Sequence, residues 1–235
     1  MATVVTFGEI MLRLTPPGFE RFIQARSFDA TYGGGEANVA VSLANYGMDA
    51  RYVTALPPNE IGDACLNFVR QHGVDTSHVV RQGDRLGIYY LEMGAVQRGS
   101  KVIYDRAGSA LADLKPDDVD WQAAFEGADW FHWTGITPAI SQGAAETVQL
   151  AVETAAEMGL SVSCDLNYRS KLWKWGKEPG EVMAGLVEHT DYAVGNEEDA
   201  EKVFGITAEG VDVEAGHVEA AAYKSVCQQL MDRFG

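Results

Sequence analysis

Short apolar segments alternate with longer segments of helical periodicity along much of this chain. Apolar runs at 4–7 and 160–165 have the length of buried strands, whereas 142–158 places its apolar residues on one helix face. Ser141 before that segment and Gly159 after it are typical of a helix N-cap and a helix end. This alternation favours right-handed βαβ units, and therefore a parallel sheet covered by helices.

The other predicted elements of the α/β body follow the same alternation. We expect strands at 51–55 and 192–194, and helices at 37–46, 61–71, 181–188 and 218–234. Together they predict an α/β fold with a doubly wound, mostly parallel sheet and flanking helices, in one domain spanning residues 1–235.

Two aromatic and β-branched segments interrupt this pattern. Residues 87–93 and 101–106 have no helix between them, which predicts an antiparallel hairpin outside the main sheet. Segment 13–31 contains Pro and Gly and is expected to add strands or loop beside the hairpin. We therefore expect a small β-sheet built from 13–33 and 85–108. Such a sheet has two uses, as a lid over a site or as a dimer surface, and we expect this lid to be the homodimer surface.

The charge of the chain narrows the choice of partners. Its 34 Asp and Glu against 18 Lys and Arg give a net charge of −16. A surface this acidic repels nucleic acid and anionic membranes, so neither is an expected partner. An anionic small molecule would need a local basic site, which makes any arginine or lysine in a pocket informative.

Composition and targeting patterns place the chain among reduced, cytoplasmic globular proteins. The first ten residues lack a basic segment followed by an apolar one, and no window reaches the ~20 apolar residues of a membrane span. The cysteines Cys65, Cys164 and Cys227 are scattered in apolar contexts without a CxxC pair, so we expect buried, reduced thiols.

Three glycines directly before a predicted helix form the first candidate binding segment. The backbone of 33–35 can approach a ligand closely, and the following helix N-terminus offers free N–H donors. Asn38, one turn further, adds a side-chain amide. The alternative interpretation is that the glycines form only a tight structural turn and bind no ligand. The segment is neither GxGxxG nor GxxxxGK[ST], so dinucleotide and Walker-type sites are not predicted.

Two further segments follow predicted strands, where open α/β sheets bind ligands. Arg169 offers a planar guanidinium for a carboxylate or phosphate, with an ordinary surface ion pair as the alternative. The acidic run 196–199 precedes a helix, and its usual role is capping. Its other interpretation is indirect handling of Mg²⁺, which keeps several waters and takes few protein carboxylates. The five histidines show no metal-ligand spacing.

Seven segments in one order resemble the ribokinase-like (PfkB-type) sugar kinases, and most of all the 2-keto-3-deoxygluconate kinases. They are GEIMLRL (8–14), YGGGEANVA (32–40), GIYYLE (87–92), VIYDRAGSA (102–110), WTGITPAIS (133–141), CDLNYR (164–169) and GNEEDAEKVFG (195–205). The resemblance covers essentially all 235 residues, and several motifs in one order are far more specific than any one alone.

The resemblance implies an ATP- and Mg²⁺-dependent kinase that phosphorylates the primary hydroxyl of 2-keto-3-deoxygluconate. It implies these substrate-binding residues: Gly33, Gly34, Gly35, Asn38, Tyr89, Tyr104, Arg106 and Arg169. It also implies an N-x-x-E segment that positions Mg²⁺ and phosphate through water, without direct protein ligands. The matching residues here are Asn196 and Asp199, with Glu198 beside the shorter fourth-position acid.

The resemblance places the catalytic base in a GxGD-like segment that is expected beyond residue 235, so no residue of this chain is assigned that role. Three alternatives remain: a fructokinase, another sugar kinase of this type, and a non-catalytic sugar-binding or dimerising module. Two arginines, Arg106 and Arg169, in one pocket suit a carboxylate, whereas a neutral sugar needs fewer cations.

Overall fold

A computed structural model describes residues 2–207 and 220–235 of the chain. The strands in these ranges are β1 (Thr3–Phe7), β2 (Met11–Thr15), β3 (Asp29–Gly33), β4 (Asp49–Val53), β5 (Ala55–Leu56), β6 (Val80–Arg81), β7 (Ile88–Glu92), β8 (Lys101–Asp105), β9 (Trp130–Thr134), β10 (Ser161–Asp165) and β11 (Tyr192–Val194). The helices are α1 (Gly35–Asn45), α2 (Glu60–Arg70), α3 (Trp121–Phe125), α4 (Ile136–Ile140), α5 (Gln142–Glu157), α6 (Pro179–Val187), α7 (Glu197–Phe204) and α8 (Ala220–Phe234), with a 3₁₀ turn at Pro116–Asp118.

The main sheet has five strands in the order β11-β10-β9-β1-β4, and all four pairings are parallel. After β1 the chain places β4 on one side of it and later β9 on the other. The strand order therefore reverses between β1 and β9. A crevice at the carboxyl ends of strands that flank such a reversal is where open α/β sheets bind ligands.

Aromatic side chains fill the core between this sheet and its helices. The ring centroid of Trp121 lies 5.1 Å from those of Phe7 and Phe125, and the Phe125 centroid lies 5.0 Å from that of Phe131. All four side chains are buried, and edge or stacked contacts of this kind stabilise a core beyond the area they bury. Ser141 caps α5 by accepting a hydrogen bond from the Ala144 amide. The predicted α/β fold is confirmed.

The second sheet stands apart from the main one. It has the order β3-β2-β7-β8, with β2 and β7 parallel and the other two pairings antiparallel. The hairpin predicted from the sequence is therefore correct, and its strands β7 and β8 lie outside the main sheet. The outer strand β8 is exposed along its whole length, including Val102 and Ile103.

The strand predicted at 51–55 is wrong at its end. β4 stops at Val53, because the next extended residues, Ala55 and Leu56 of β5, pair with β6 in a separate two-stranded sheet. The helix predicted at 218–234 begins at Ala220, and its first two residues lie outside the described part of the chain. Cys227 lies exposed on α8, against expectation, whereas Cys65 and Cys164 are buried. Within the described ranges, no helix is long and apolar enough to span a membrane.

Candidate functional site

A cavity of about 560 Å³ opens at the carboxyl ends of the main-sheet strands. Glu9 reaches it from just after β1, Ile136 from just after β9, and Arg169 from the loop that follows β10. Glu198 joins them from the first turn of α7, just after β11. Four strand ends thus converge on one cavity because parallel strands present the same edge of the sheet.

The small sheet supplies another part of the cavity wall through Met11, Tyr104 and Arg106. Tyr89 does not line the cavity, but its ring centroid lies 6.0 Å from that of Tyr104 on the paired strand. The guanidinium carbon of Arg106 lies 5.9 Å from the Tyr104 ring centroid, within cation–π range. The segments separated in sequence as body and hairpin therefore meet at this cavity.

The glycine segment forms the wall next to Glu9. A Cβ on Gly34 would lie 2.1 Å from the Glu9 carbonyl oxygen, so this position admits no side chain. Gly34 is the N-cap residue of α1 and Gly35 its first residue, and both line the cavity. Gly33 does not line it, and Asn38 is exposed one turn into the helix.

Arg106 does not present a free cation, contrary to the sequence-based expectation. Its guanidinium forms an ion pair with the buried Glu9 carboxylate, and the Arg106 side chain is only 10% exposed. The Ser109 hydroxyl donates to the other Glu9 oxygen at 2.5 Å. Nothing in the sequence pattern pairs residues that stand 97 positions apart, although Glu9 lies two residues after the end of a predicted strand.

Arg169 does meet the same cavity, together with two lysines that the sequence analysis did not select. The Arg169 guanidinium donates to the Tyr168 carbonyl oxygen at 3.3 Å and is otherwise exposed. Lys171 and Lys202 complete the basic part of the wall. Among the lining side chains, four basic groups (Arg106, Arg169, Lys171 and Lys202) outnumber three acidic ones (Glu9, Glu36 and Glu198). A chain of net charge −16 thus carries a locally basic cavity.

The acidic residues at the start of α7 have two different roles. The Asn196 side chain accepts from the Asp199 amide at 2.9 Å, and Asp199 accepts from the Asn196 amide at 3.0 Å, which is a reciprocal cap. The second oxygen of Asp199 accepts from the Tyr168 amide at 2.9 Å, so this carboxylate holds the loop before Arg169 against α7. Glu198 is the acid that lines the cavity.

Glu36 is a cavity residue that the sequence analysis missed. Its side chain is 1% exposed, and one carboxyl oxygen accepts hydrogen bonds from the Thr134 hydroxyl at 2.7 Å and the Thr137 hydroxyl at 3.0 Å. Burial raises the pKa of Glu36 from 4.5 to about 7, against these hydrogen bonds and the Arg106 charge. A carboxyl group directly after three glycines, in the first turn of a helix, is the signal that could have identified it.

Comparison with known proteins finds relatives over most of the chain. The sequence model described as the pfkB family carbohydrate kinase matches residues 1–228. The chain is 39% identical to a 2-dehydro-3-deoxygalactonokinase of Haloferax volcanii over 86% of this chain and 63% of the relative. It is 34% identical to a 2-dehydro-3-deoxygluconokinase of Thermoproteus tenax over 74% of this chain and 52% of the relative.

A solved structure gives the same result at the level of the fold. The 2-dehydro-3-deoxygluconokinase of Thermotoga maritima superimposes with a TM-score of 0.93 and is 47% identical. That match covers 100% of this chain and 70% of the Thermotoga protein, so the chain spans between about half and 70% of the length of these relatives. The chain therefore belongs to the pfkB family of carbohydrate kinases.

Proposed function

We propose that this protein uses ATP to phosphorylate a 2-keto-3-deoxy sugar acid such as 2-keto-3-deoxygluconate. The observation that carries the proposal is the locally basic cavity at the carboxyl ends of the strands, in a chain of net charge −16. A sugar acid approaching this chain meets long-range repulsion, which a local cluster of cations offsets. Similar proteins from Haloferax volcanii and Thermoproteus tenax are named as kinases of such sugar acids.

Arg169 is assigned to the substrate carboxylate. Its guanidinium is exposed on the cavity wall, and a planar fork of donors matches a carboxylate in a bidentate pair. The backbone of Gly34 and Gly35 lies open to the sugar because neither residue carries a side chain. Tyr104 and Arg106 cover the sugar from the small sheet, which acts as the lid.

Three of the residues that the sequence predicts for substrate binding lie next to the cavity-lining residues rather than on the cavity wall. Gly33 precedes Gly34, Asn38 lies one helical turn beyond it, and Tyr89 packs beside Tyr104. We assign them to the sugar site in a closed state of the small sheet, in which the lid strands approach α1.

ATP and Mg²⁺ fit the same cavity by the chemistry of its wall. Lys171 and Lys202 suit the negative phosphates of a nucleotide. Glu198 is the carboxylate of the α7 cap that faces the cavity, and Mg²⁺ binds through one or two carboxylates with water and phosphate oxygens. When bound beside Glu198, Mg²⁺ would supply charge neutralisation for the transferred phosphoryl group. Among the described residues, no cluster of three or more His, Cys, Asp and Glu could hold a metal by itself.

We further propose that β8 forms a homodimer surface. Its edge is unpaired within the four-stranded sheet, and Ile103 is 54% exposed there. Light scattering should give a dimer mass for the protein and a monomer mass for Ile103→Lys. Ile61→Lys is the matched control, because this isoleucine is 50% exposed on α2, outside the small sheet, and its variant should stay dimeric. A monomeric parent protein would contradict the dimer.

The choice of substrate is tested by calorimetric titration with 2-keto-3-deoxygluconate, 2-keto-3-deoxygalactonate and fructose. We expect the acids to bind at least about tenfold more tightly than fructose, since only they carry the carboxylate that Arg169 recognises. Fructose binding as tightly as the acids would favour a fructokinase and overturn the assignment. Phosphoryl transfer is tested separately by acid-dependent formation of ADP, because no residue of the chain is assigned as the catalytic base.

A further inference from the structure

Glu9 occupies a position in the cavity wall that the proposed function does not explain. It lies two residues after β1 and is 5% exposed, yet it borders the cavity. Its two carboxylate oxygens are taken by the Arg106 guanidinium and the Ser109 hydroxyl. Both partners come from the segment that follows the lid strand β8. Glu9 thus ties the lid to the main sheet through its side chain.

The surrounding backbone leaves room for this carboxylate. A Cβ on Gly87 would lie 2.7 Å from the Glu9 Oε1 atom, so a side chain there would displace the acid. A Cβ on Gly34 would lie 2.1 Å from the Glu9 carbonyl oxygen. Two glycines from different segments therefore pack against one residue, and the ion pair is a built part of the wall rather than a chance surface contact.

Stability alone does not account for a charged pair in this place. A buried ion pair loses hydration on both groups, and replacing it by apolar residues of similar volume is often neutral or stabilising. The pair also leaves the buried Nε atom of Arg106 without a hydrogen-bond partner. Arg106 nevertheless lines the cavity, and Glu9 offsets its positive charge there.

The two arginines of the cavity consequently differ in what they offer. Arg169 is exposed, and among the described residues it has no carboxylate partner, so it retains a full positive charge for an anion. Arg106 is held in a pair that carries no net charge, which suits hydroxyl or keto oxygens. A second anionic group at the Arg106 end would therefore face a pair without net charge and gain no electrostatic attraction there.

We propose that Glu9 is a specificity-determining residue that limits the cavity to sugar acids with one negative charge and rejects sugar diacids. This inference rests on the proposed function, because it concerns the acid that the cavity takes. Discrimination here comes from cancelling the Arg106 charge that would otherwise attract a second carboxylate, while Arg169 keeps its charge for the first.

The test measures the affinity for a monoacid, 2-keto-3-deoxygluconate, and for the six-carbon 2-keto-3-deoxy diacid, by calorimetry. Parent protein should bind the monoacid more tightly. Glu9→Gln keeps the shape and removes the charge, so the ratio of diacid to monoacid affinity should rise about tenfold or more. An unchanged ratio in Glu9→Gln would overturn the inference. Parent protein that binds neither acid would instead overturn the proposed function, and this inference with it.

Glu92→Gln is the matched control. Glu92 is also a buried glutamate, but it belongs to β7 of the small sheet, lies 3.9 Å from the Arg98 guanidinium and does not line the cavity. Its variant should keep the parent ratio of affinities. A similar rise in both variants would show a general loosening of the sheet and would contradict a role specific to Glu9.

A second variant covers the case in which Glu9→Gln does not fold because Arg106 is left as a buried, unpaired charge. Glu9→Gln combined with Arg106→Gln removes both charges and keeps two side chains that can hydrogen-bond. It should retain the parent preference for the monoacid. If this double variant loses as much monoacid affinity as Arg169→Ala does, Arg106 binds the carboxylate. That result would refute the assignment of the carboxylate to Arg169 and of uncharged oxygens to Arg106.

Discussion

Glu36→Gln tests whether the buried carboxyl of the cavity wall governs the pH dependence of stability. Glutamine has nearly the same shape, and its amide oxygen can accept the hydrogen bonds that Thr134 and Thr137 donate to Glu36. The substitution therefore removes the ionisation while keeping the packing. Any difference that changes with pH then reports the proton on Glu36.

The magnitude follows from the pKa of the folded state. Burial raises the pKa of Glu36 from 4.5 to about 7, so the folded protein holds this proton more tightly than the unfolded chain. Ionisation therefore disfavours folding. The loss of stability is small below pH 4.5, grows between pH 4.5 and 7, and is constant above pH 7. At about 1.4 kcal/mol per pH unit, it reaches about 3 kcal/mol.

Urea denaturation followed by tryptophan fluorescence, at a series of pH values from 4 to about 8, measures this effect. The free energy of unfolding of Glu36→Gln, relative to the parent, should rise by about 3 kcal/mol across that range. Glu157→Gln removes an exposed carboxylate at the end of α5 and should show no such rise. A Glu36→Gln difference that stays flat with pH would refute the account of a buried, titrating carboxyl.

Three further outcomes are expected from the site geometry. Arg169→Ala should weaken binding of the sugar acid by about 1.5–3 kcal/mol in calorimetry, and Arg169→Lys by less; equal losses for a neutral analogue would contradict carboxylate recognition. Gly34→Ala should lower the melting temperature strongly, because the added Cβ would clash with the Glu9 carbonyl oxygen. Gly35→Ala should be tolerated, because its Cβ would meet only the Thr134 methyl group at 3.6 Å. Equal melting temperatures of the two variants would disprove the clash at Gly34. Asp199→Ala should destabilise the protein by about 1–2 kcal/mol through loss of the cap. Glu198→Gln should leave the midpoint of urea denaturation unchanged and weaken the effect of Mg²⁺ on nucleotide binding. The reverse pattern would show that the two acids have each other's role.

The sequence predicted the parts of the fold that depend on local pattern. Periodicity located α5 with its cap at Ser141, and the absence of a helix between the two aromatic segments predicted the hairpin of β7 and β8. The end of β4 was misplaced because pairing of 55–56 with 80–81 is a tertiary choice that local propensity does not encode.

The site was predicted in part for the same reason. The rule that ligands gather at strand ends found Arg169, and applied to β1 it would also have found Glu9. That Arg106 is neutralised could not be foreseen, since its partner lies 97 residues away. The sequence was sufficient to assign Asp199, rather than Glu198, to the helix cap. Asn196 followed three residues later by an acid is a capping-box pattern.

The central claim is that the basic cavity is a sugar-acid site, and a crystal structure of this chain with 2-keto-3-deoxygluconate tests it most directly. We expect the carboxylate within hydrogen-bond distance of the Arg169 guanidinium and the sugar chain against the Gly34 backbone, beneath Tyr104. A ligand outside this cavity, or one whose carboxylate lies on Arg106 with the Glu9 pair broken, would contradict the account.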